Sequence, residues 1–142
     1  MNGSRLQYIA DGFIPTLPKQ PIEERLNCIF RTLCEVIETY RPEEASIEKT
    51  FLNTNPETSL KLSMARCVVI LAAGYNQLPL SEYDATKIKK ALVGVGRAEK
   101  TQVETMVKVL LPGCKPKNND SSDALAIAIT HSHYRQTYKM LC

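Results

Sequence analysis

The chain has 142 residues, of which 44% are hydrophobic and 23% charged, and its formal net charge at neutral pH is only +3. These values predict a single domain over residues 1–142 with its own core, and they exclude a disordered chain. The apolar run at 67–73 is far shorter than the roughly 20 residues that cross a bilayer, and no apolar segment follows the first residues. We therefore expect a cytoplasmic protein with no membrane partner.

The first half of the chain predicts two strands and a long helix. Residues 6–14 alternate in polarity and predict a strand. Apolar residues recur at helical spacing over 22–40, after Pro21, which suits a first helical turn, and before Pro42, which stops a helix. The short apolar segment at 45–48 predicts a buried strand.

The second half alternates between helices and strands. In chain order, the remaining elements are a helix at 56–75, a strand at 78–83 and helices at 85–93 and 99–111. A last, long helix is expected to begin near Ser121 or Ser122, with Asp120 and Ser121 as capping residues. Strands that alternate with helices predict an α/β fold with some parallel pairing.

The five cysteines are an odd number and contain no Cys-x-x-Cys pair. Cys28, Cys34 and Cys67 fall inside predicted helices. This pattern favours buried free thiols in a reducing compartment over structural zinc.

The charge is unevenly distributed along the chain. Residues 87–117 contain eight basic and two acidic residues, a net charge of +6, so the rest of the chain carries −3. Such asymmetry predicts a basic face for a polyanion beside an acidic centre. A solvated charged helix explains the same pattern equally well.

Three carboxylates stand where they could bind a metal. Glu48 closes the predicted strand at 45–48, and Asp120 and Asp123 lie three residues apart at the start of the last helix, on one face. Carboxylates are natural ligands of the hard cations that activate water and neutralise a leaving oxygen in phosphodiester hydrolysis. From the residues alone, a helix cap and an exposed acid remain the simpler interpretation.

Lys89 and Lys100 bracket a turn that contains Gly94 and Gly96. The lysines could donate to phosphate oxygens, or they could be ordinary helix-surface residues. The glycines could let the backbone approach a phosphate, although turn geometry explains them as well.

Phe51 lies in a polar loop shortly after Glu48. An exposed aromatic residue there could stack on an unpaired base, whereas the alternative is a loop anchor in the core. His131 and His133 have no acidic neighbour in sequence, which favours a structural role over a metal pair.

Several motifs together resemble the bacterial RuvC Holliday-junction resolvases. They are SIEKTF at 46–51, SLKL at 59–62, AR at 65–66, VGVGRAEKTQV at 93–103 and DSSDALAIAITH at 120–131. The motifs occur in the family's order and approximate spacing, and the resemblance extends from about residue 6 to residue 133.

The resemblance implies a ribonuclease-H-like mixed sheet flanked by helices, and a homodimer that nicks four-way DNA junctions symmetrically in recombination and repair. It implies Mg²⁺, with Mn²⁺ as a substitute, and the RuvA–RuvB branch-migration complex as a partner. Glu48, Asp120 and Asp123 match metal-binding catalytic carboxylates of the family. Lys89 and Lys100 match its DNA-contacting lysines, and Phe51 matches the aromatic residue placed against bases at the junction centre.

The sequence departs from the family's pattern at its N-terminus. The family begins with a strand that ends in a Gly-Ile-Asp-Pro-Gly-like motif, whose aspartate is a fourth catalytic carboxylate, and a second strand follows. This chain starts where the third strand is expected, and Asp11 lies within that region, where a turn or surface role is expected. We therefore expect an N-terminally truncated domain in which residues 6–14 lack a ladder partner and the metal lacks one ligand.

Three explanations of this departure remain open: a misassigned start, a decayed gene, or an inactive remnant that still binds DNA. The leading hypothesis is a junction-resolving endodeoxyribonuclease. The alternatives are a catalytically impaired junction-binding protein and a nuclease for RNA or DNA–RNA hybrids.

Overall fold

The computed structural model describes residues 5–49 and 55–141, with side chains as far as residue 135. Its elements in chain order are α1 (Ile22–Tyr40), β1 (Ala45–Glu48), α2 (Pro56–Tyr75), β2 (Leu80–Tyr83), α3 (Ala85–Val93), α4 (Lys100–Leu110) and α5 (Asn119–Leu141). The described residues form two compact units. The first unit contains residues 5–13, 46–49 and 81–141, and the second contains 14–45 and 55–80.

The two strands form a parallel pair. The backbone N–H of Ala45 donates to the carbonyl of Pro79 at 2.9 Å, and that of Lys49 donates to the carbonyl of Tyr83 at 2.8 Å. Both strands therefore advance in the same direction, with α2 between them in sequence. These bonds confirm the predicted α/β fold with parallel pairing. The prediction succeeded because two parallel strands need a long connection, usually a helix, between them.

The predicted strand at 6–14 is wrong. These residues form neither a helix nor a strand, and β1 and β2 are the only strands that pair in the described part of the chain. A strand requires a neighbour for its alternating N–H and C=O groups, and alternation in sequence does not supply one. Instead, Leu6 and Tyr8 pack against the core of the first unit, and the Tyr8 hydroxyl donates to the Asp11 carboxylate.

Helices α3, α4 and α5 enclose the core of the first unit. Its buried members are Ile88, Leu92, Val107, Leu111, Cys114, Leu125, Ala126 and Ile129. Val107 is completely buried, and burying such a side chain contributes about 1.5–3 kcal/mol. Within α3 and α5 the core residues lie three or four positions apart, as Ile88 and Leu92 do, so each of these helices turns one apolar face inward. The core thereby fixes α5 against α3 and α4.

Side-chain caps set where α2 and α3 begin. The Asn55 side chain accepts from the backbone N–H groups of Glu57 and Thr58, and Asp84 accepts from that of Lys87 at 2.8 Å. These bonds satisfy amides that have no partner inside the helix.

The predicted caps of α5, Asp120 and Ser121, are wrong. The helix begins at Asn119, and the Asn118 side chain accepts from the Ser121 backbone N–H at 2.9 Å. Asn118 satisfies an amide of the first turn by the same geometry that was expected of Asp120. Asp120 consequently lies inside that turn, where the helix dipole favours a negative charge.

Helices α1 and α2 pack together in the second unit. The rings of Phe30 and Tyr75 meet edge to face at 5.6 Å, and the Asn76 amide donates to Cys34 Sγ at 3.4 Å. Much of the apolar surface of α2 nevertheless remains exposed, including Leu71 at 59% and Tyr75 at 71%.

Helix α2 is the one helix among the described residues that is long and apolar enough, by length and composition only, to cross a bilayer. It has 20 residues, and an 18-residue window within it has a mean hydropathy of 1.2. The sequence showed only the short run at 67–73, because Lys61 and Arg66 interrupt the apolar residues before it. One such helix is weak evidence of a membrane protein, and Arg66 at the centre of a bilayer would cost about 2.5–3.5 kcal/mol.

The cysteines that the structure describes are free, but the expectation of buried thiols is wrong for two of them. Cys28 and Cys67 are exposed, Cys34 is half-buried and Cys114 is buried. Cys28 and Cys67 lie in α1 and α2, which bury few residues, whereas Cys114 belongs to the core of the first unit.

Candidate active site

A pocket of about 260 Å³ opens in the first unit. Its charged lining consists of Glu48, Lys89, Lys100 and Asp123. Its apolar wall is formed by Ala85, Ile88, Val103, Ala126 and Ile127. Four of the residues selected from the sequence therefore meet in one place, although they come from four different elements.

Backbone structure explains how the two carboxylates meet. Glu48 is the last residue of β1, and the next residue, Lys49, is still bonded to β2 through the carbonyl of Tyr83. Asp123 lies in the second turn of α5. The Ser46 hydroxyl donates to the Ile127 carbonyl at 3.4 Å, which connects β1 directly to α5 one turn beyond Asp123.

Burial and a neighbouring like charge both act on Glu48 in this pocket. Burial, followed by the charge of Asp123, raises the pKa of the Glu48 carboxyl, and the nearby Lys100 ammonium partly opposes this rise. Lys100 Nζ lies 3.7 Å from Asp123 Oδ2, with side chains that are 55% and 47% exposed. Such an exposed ion pair contributes at most about 1 kcal/mol. The ammonium is therefore a weak neutraliser of the carboxylate pair.

Asp120 does not line this pocket. It is exposed, one turn before Asp123 on the same side of α5. Within residues 5–49 and 55–141, no three His, Cys, Asp or Glu side chains are close enough together to hold a metal ion. The structure thus brings together two of the three predicted carboxylates. Phe51 lies outside the described residues.

The two carboxylates form a donor set that suits a hard divalent cation. Mg²⁺ prefers carboxylate oxygens and usually keeps several waters, so one or two protein ligands are sufficient for a site. A cation between Glu48 and Asp123 would offset both causes of the raised pKa of Glu48, its burial and the charge of Asp123. The residues present therefore fit a Mg²⁺ ion.

Turn geometry accounts for Gly94 and Gly96. Gly94 ends α3 with φ of 91°, a conformation that favours glycine. A Cβ on Gly96 would lie 2.9 Å from Thr86 Cγ2, closer than packing allows. The turn brings the start of α4, and with it Lys100, close to α3.

A second cluster joins β2 to α5 through residues that do not line the pocket. The Tyr83 hydroxyl lies 2.7 Å from His131 Nδ1, and the Tyr83 ring stacks on Tyr134 with centroids 5.5 Å apart. Lys87 Nζ lies 5.9 Å from the centre of the Tyr134 ring. Tyr83 and His131 are 48 residues apart, and no local spacing rule connects them.

Solved structures share this architecture. The chain is similar to a T. thermophilus RuvC in complex with Holliday junction substrate, with a TM-score of 0.89 and 31% identity, over 96% of this chain and 83% of that one. It is also similar to a Thermus thermophilus RuvC structure, with a TM-score of 0.78 and 34% identity, over 86% and 74% of the two chains. The fold is therefore of the ribonuclease-H-like class.

Sequence comparisons agree with the fold. The family model described as crossover junction endodeoxyribonuclease RuvC matches residues 1–131. Proteins of that name from Xanthobacter autotrophicus and Paramagnetospirillum magneticum are 49% and 46% identical to this chain, over 95% and 97% of its length and 80% and 83% of theirs. The chain belongs to the RuvC family.

Proposed function

We propose that this protein is a divalent-metal-dependent endonuclease that resolves four-way DNA junctions. One observation carries the proposal: two carboxylates and two lysines from four elements line one pocket, in a chain whose relatives are named crossover junction endodeoxyribonucleases. The alternative of a DNA-binding protein without nuclease activity is not favoured, because phosphate binding alone would not require Glu48 and Asp123 to be held together against their repulsion.

Mg²⁺, or Mn²⁺ as a substitute, would be held by Glu48 and Asp123, which line the pocket. Asp120, which the resemblance to the family also assigns to the metal, lies one turn earlier on the same side of α5 and outside the pocket lining. When bound, such an ion supplies a water of lowered pKa and neutralises charge on phosphate oxygens. The raised pKa of Glu48 supports this role, since the carboxylate pair lacks a strong neutralising partner in the described protein.

Lys89 and Lys100 would bind the phosphate to be cut. Both line the pocket, and a fixed cation beside a phosphate stabilises the negative charge that grows as the bond breaks. Residues such as Ile88 and Val103 form an apolar wall behind them. An apolar wall lowers the local dielectric constant and so strengthens the attraction between lysine and phosphate.

The DNA junction would extend from the pocket across the basic segment 87–117, whose net charge is +6. Lysine contacts to phosphates provide affinity that weakens steeply with salt. We assign Phe51 to stacking on an unpaired base at the junction centre, as the resemblance to the family implies.

We further propose that the protein acts as a homodimer, because symmetric nicking requires two active sites. The exposed apolar surface of α2, with Leu60, Leu71 and Tyr75, supports a partner surface in the second unit. The RuvA–RuvB complex as a partner follows from the resemblance alone, and a cytoplasmic location remains the expectation drawn from the sequence.

The test is a substrate panel that compares a four-way DNA junction, a linear DNA duplex and a DNA–RNA hybrid. We expect Mg²⁺-dependent nicking of the four-way junction only. In Glu48→Gln the rate of nicking should fall by at least about 100-fold, since even residues that only orient metal ligands contribute about 10–100-fold. Glu38→Gln is the matched control, because Glu38 is an exposed carboxylate of α1 that does not line the pocket. Equal cutting of the hybrid, or undiminished cutting by Glu48→Gln, would refute the proposal.

A further inference from the structure

The hydrogen bond between Tyr83 and His131 joins the sheet to α5. The Tyr83 hydroxyl, on the last residue of β2, lies 2.7 Å from Nδ1 of His131, and the bond is partly buried. The two residues are 48 positions apart in sequence, so ordering them costs conformational entropy. We therefore ask what this bond holds in place.

Each partner of this bond is connected to one carboxylate of the pocket. The Tyr83 carbonyl accepts from the backbone N–H of Lys49 at 2.8 Å, immediately after Glu48. His131 lies two helical turns beyond Asp123 in α5, a distance of about 12 Å at 1.5 Å per residue. Glu48, Tyr83, His131 and Asp123 thus form one continuous path through the first unit.

We propose that Tyr83 and His131 are positioning residues, whose hydrogen bond sets the separation of Glu48 and Asp123 and thereby the affinity of the pocket for a divalent cation. This inference rests on the proposed metal-dependent function. Neither residue lines the pocket, so both act through the backbone segments that carry the carboxylates.

Packing alone does not determine that separation. The face of α5 that enters the core carries Leu125, Ala126 and Ile129, and no buried member of that core lies on β1 or β2. The buried core therefore fixes α5 against α3 and α4, whereas a directional hydrogen bond from β2 fixes it against the sheet. Because α5 is a continuous helix, a rotation at His131 is transmitted to Asp123.

The orientation of the Tyr83 hydroxyl is fixed in turn by its ring. The ring stacks on Tyr134 at an interplanar angle of 13°, and the centroid of the His131 ring lies 5.8 Å away. The β1–α5 bond from Ser46 to Ile127 is long, at 3.4 Å. The bond of Tyr83, at 2.7 Å, is the shorter of these two hydrogen bonds between the sheet and α5.

The chain offers four informative variants. Tyr83→Phe removes the hydroxyl and keeps the ring stack. His131→Asn places an amide near the position of Nδ1, whereas the amide of His131→Gln reaches the position of Nε2 instead. Tyr134→Phe is the matched control, because it removes a hydroxyl from the neighbouring ring of the same cluster.

The experiment measures the Kd for Mg²⁺ of the full chain without DNA, from the rise of its unfolding midpoint with Mg²⁺ concentration. We expect about a tenfold weaker Kd in Tyr83→Phe and His131→Gln, as for other groups that orient metal ligands. The Kd for Mg²⁺ of His131→Asn and of Tyr134→Phe should stay within about twofold of the wild-type value, because both variants keep a partner for the bond between positions 83 and 131. Junction binding without Mg²⁺ should be unchanged in all four variants.

An unchanged Kd in Tyr83→Phe overturns the inference. So does equal weakening in His131→Asn and His131→Gln, a comparison that decides the matter even where Tyr83→Phe fails to fold. If the wild type binds Mg²⁺ and cuts junctions while all variants match it, only this inference fails. If the wild type itself binds no Mg²⁺ and cuts nothing, the proposed function fails with it.

Discussion

Glu48 carries an unfavourable charge in the folded protein. Burial and the charge of Asp123 raise its pKa above the ordinary value, so the folded state binds a proton more readily than the unfolded state does. The stability that this group contributes is present below its unfolded pKa and is lost as pH rises through its folded pKa. At neutral pH the ionised side chain therefore destabilises the metal-free protein.

Glu48→Gln should accordingly raise the unfolding midpoint of the metal-free protein at pH 7. The gain is small, about 0.5 kcal/mol, because a half-buried site is screened by solvent. The same variant should lose the additional stabilisation by Mg²⁺. Thermal unfolding with EDTA and with Mg²⁺ measures both effects, with Glu38→Gln as the control. A lower midpoint in EDTA would contradict the electrostatic account of the pocket.

We expect Lys100 to compete with a bound metal for the carboxylates of the pocket. Because its Nζ lies 3.7 Å from Asp123, Lys100→Gln should tighten Mg²⁺ binding in the absence of DNA by about two- to fivefold, the value of an exposed ion pair. Junction binding should weaken in the same variant. Lys100→Arg keeps the charge, so neither its affinity for Mg²⁺ nor its affinity for the junction should change by much. Weaker Mg²⁺ binding in Lys100→Gln would exclude this competition.

The charged residues of the pocket could be selected from the sequence, whereas the hydrogen bond between Tyr83 and His131 could not. Asp123, Lys89 and Lys100 could be selected from the sequence, because charge, spacing and the family's motifs are local properties. The bond between Tyr83 and His131 could not be predicted, since it depends on how β2 and α5 meet in space.

At the scale of elements, the turn between α3 and α4 determines where Lys100 lies. Gly96→Ala would place a Cβ 2.9 Å from the Cγ2 methyl of Thr86, a stiff β-branched side chain. We expect a destabilisation of about 1–3 kcal/mol, as for other overpacked sites. Chemical denaturation measures this change.

Thr86→Ser removes that methyl group and keeps the hydroxyl, so it provides the matched test. The double variant Gly96→Ala/Thr86→Ser should recover most of the lost stability, while Thr86→Ser alone should be close to the wild type. A double variant as unstable as Gly96→Ala would mean that the other close contact of this Cβ, with Lys90 Cε at 3.3 Å, requires glycine instead.

The helices could be predicted from the sequence more reliably than the strands, and the strand predicted at 6–14 is wrong. Helical periodicity and local caps specify α1, α2 and α3 from nearby residues. A strand depends on a partner that can be distant in sequence. The start of α5 was placed too late because Asn118 offered a third capping residue beside Asp120 and Ser121.

At the scale of the whole molecule, the exposed surface of α2 is the proposed dimer contact. Leu71→Asp should convert a dimer into a monomer, because an unpaired charge in an apolar interface is strongly unfavourable. Analytical ultracentrifugation measures the change. Val109→Asp is the matched control, since Val109 is similarly exposed, at 62% against 59%, but lies on α4. A dimer that survives Leu71→Asp would place the contact elsewhere.

The central claim is that Glu48 and Asp123 hold the metal that cuts the junction, and Asp123→Cys tests it most directly. Replacing an oxygen ligand with sulfur disfavours Mg²⁺ and favours a softer ion such as Cd²⁺. We predict that Asp123→Cys no longer nicks a four-way junction with Mg²⁺ and that its nicking activity recovers with Cd²⁺. Each activity is measured against that of the wild type with the same ion. Full activity with Mg²⁺, or equal loss with both ions, would contradict it.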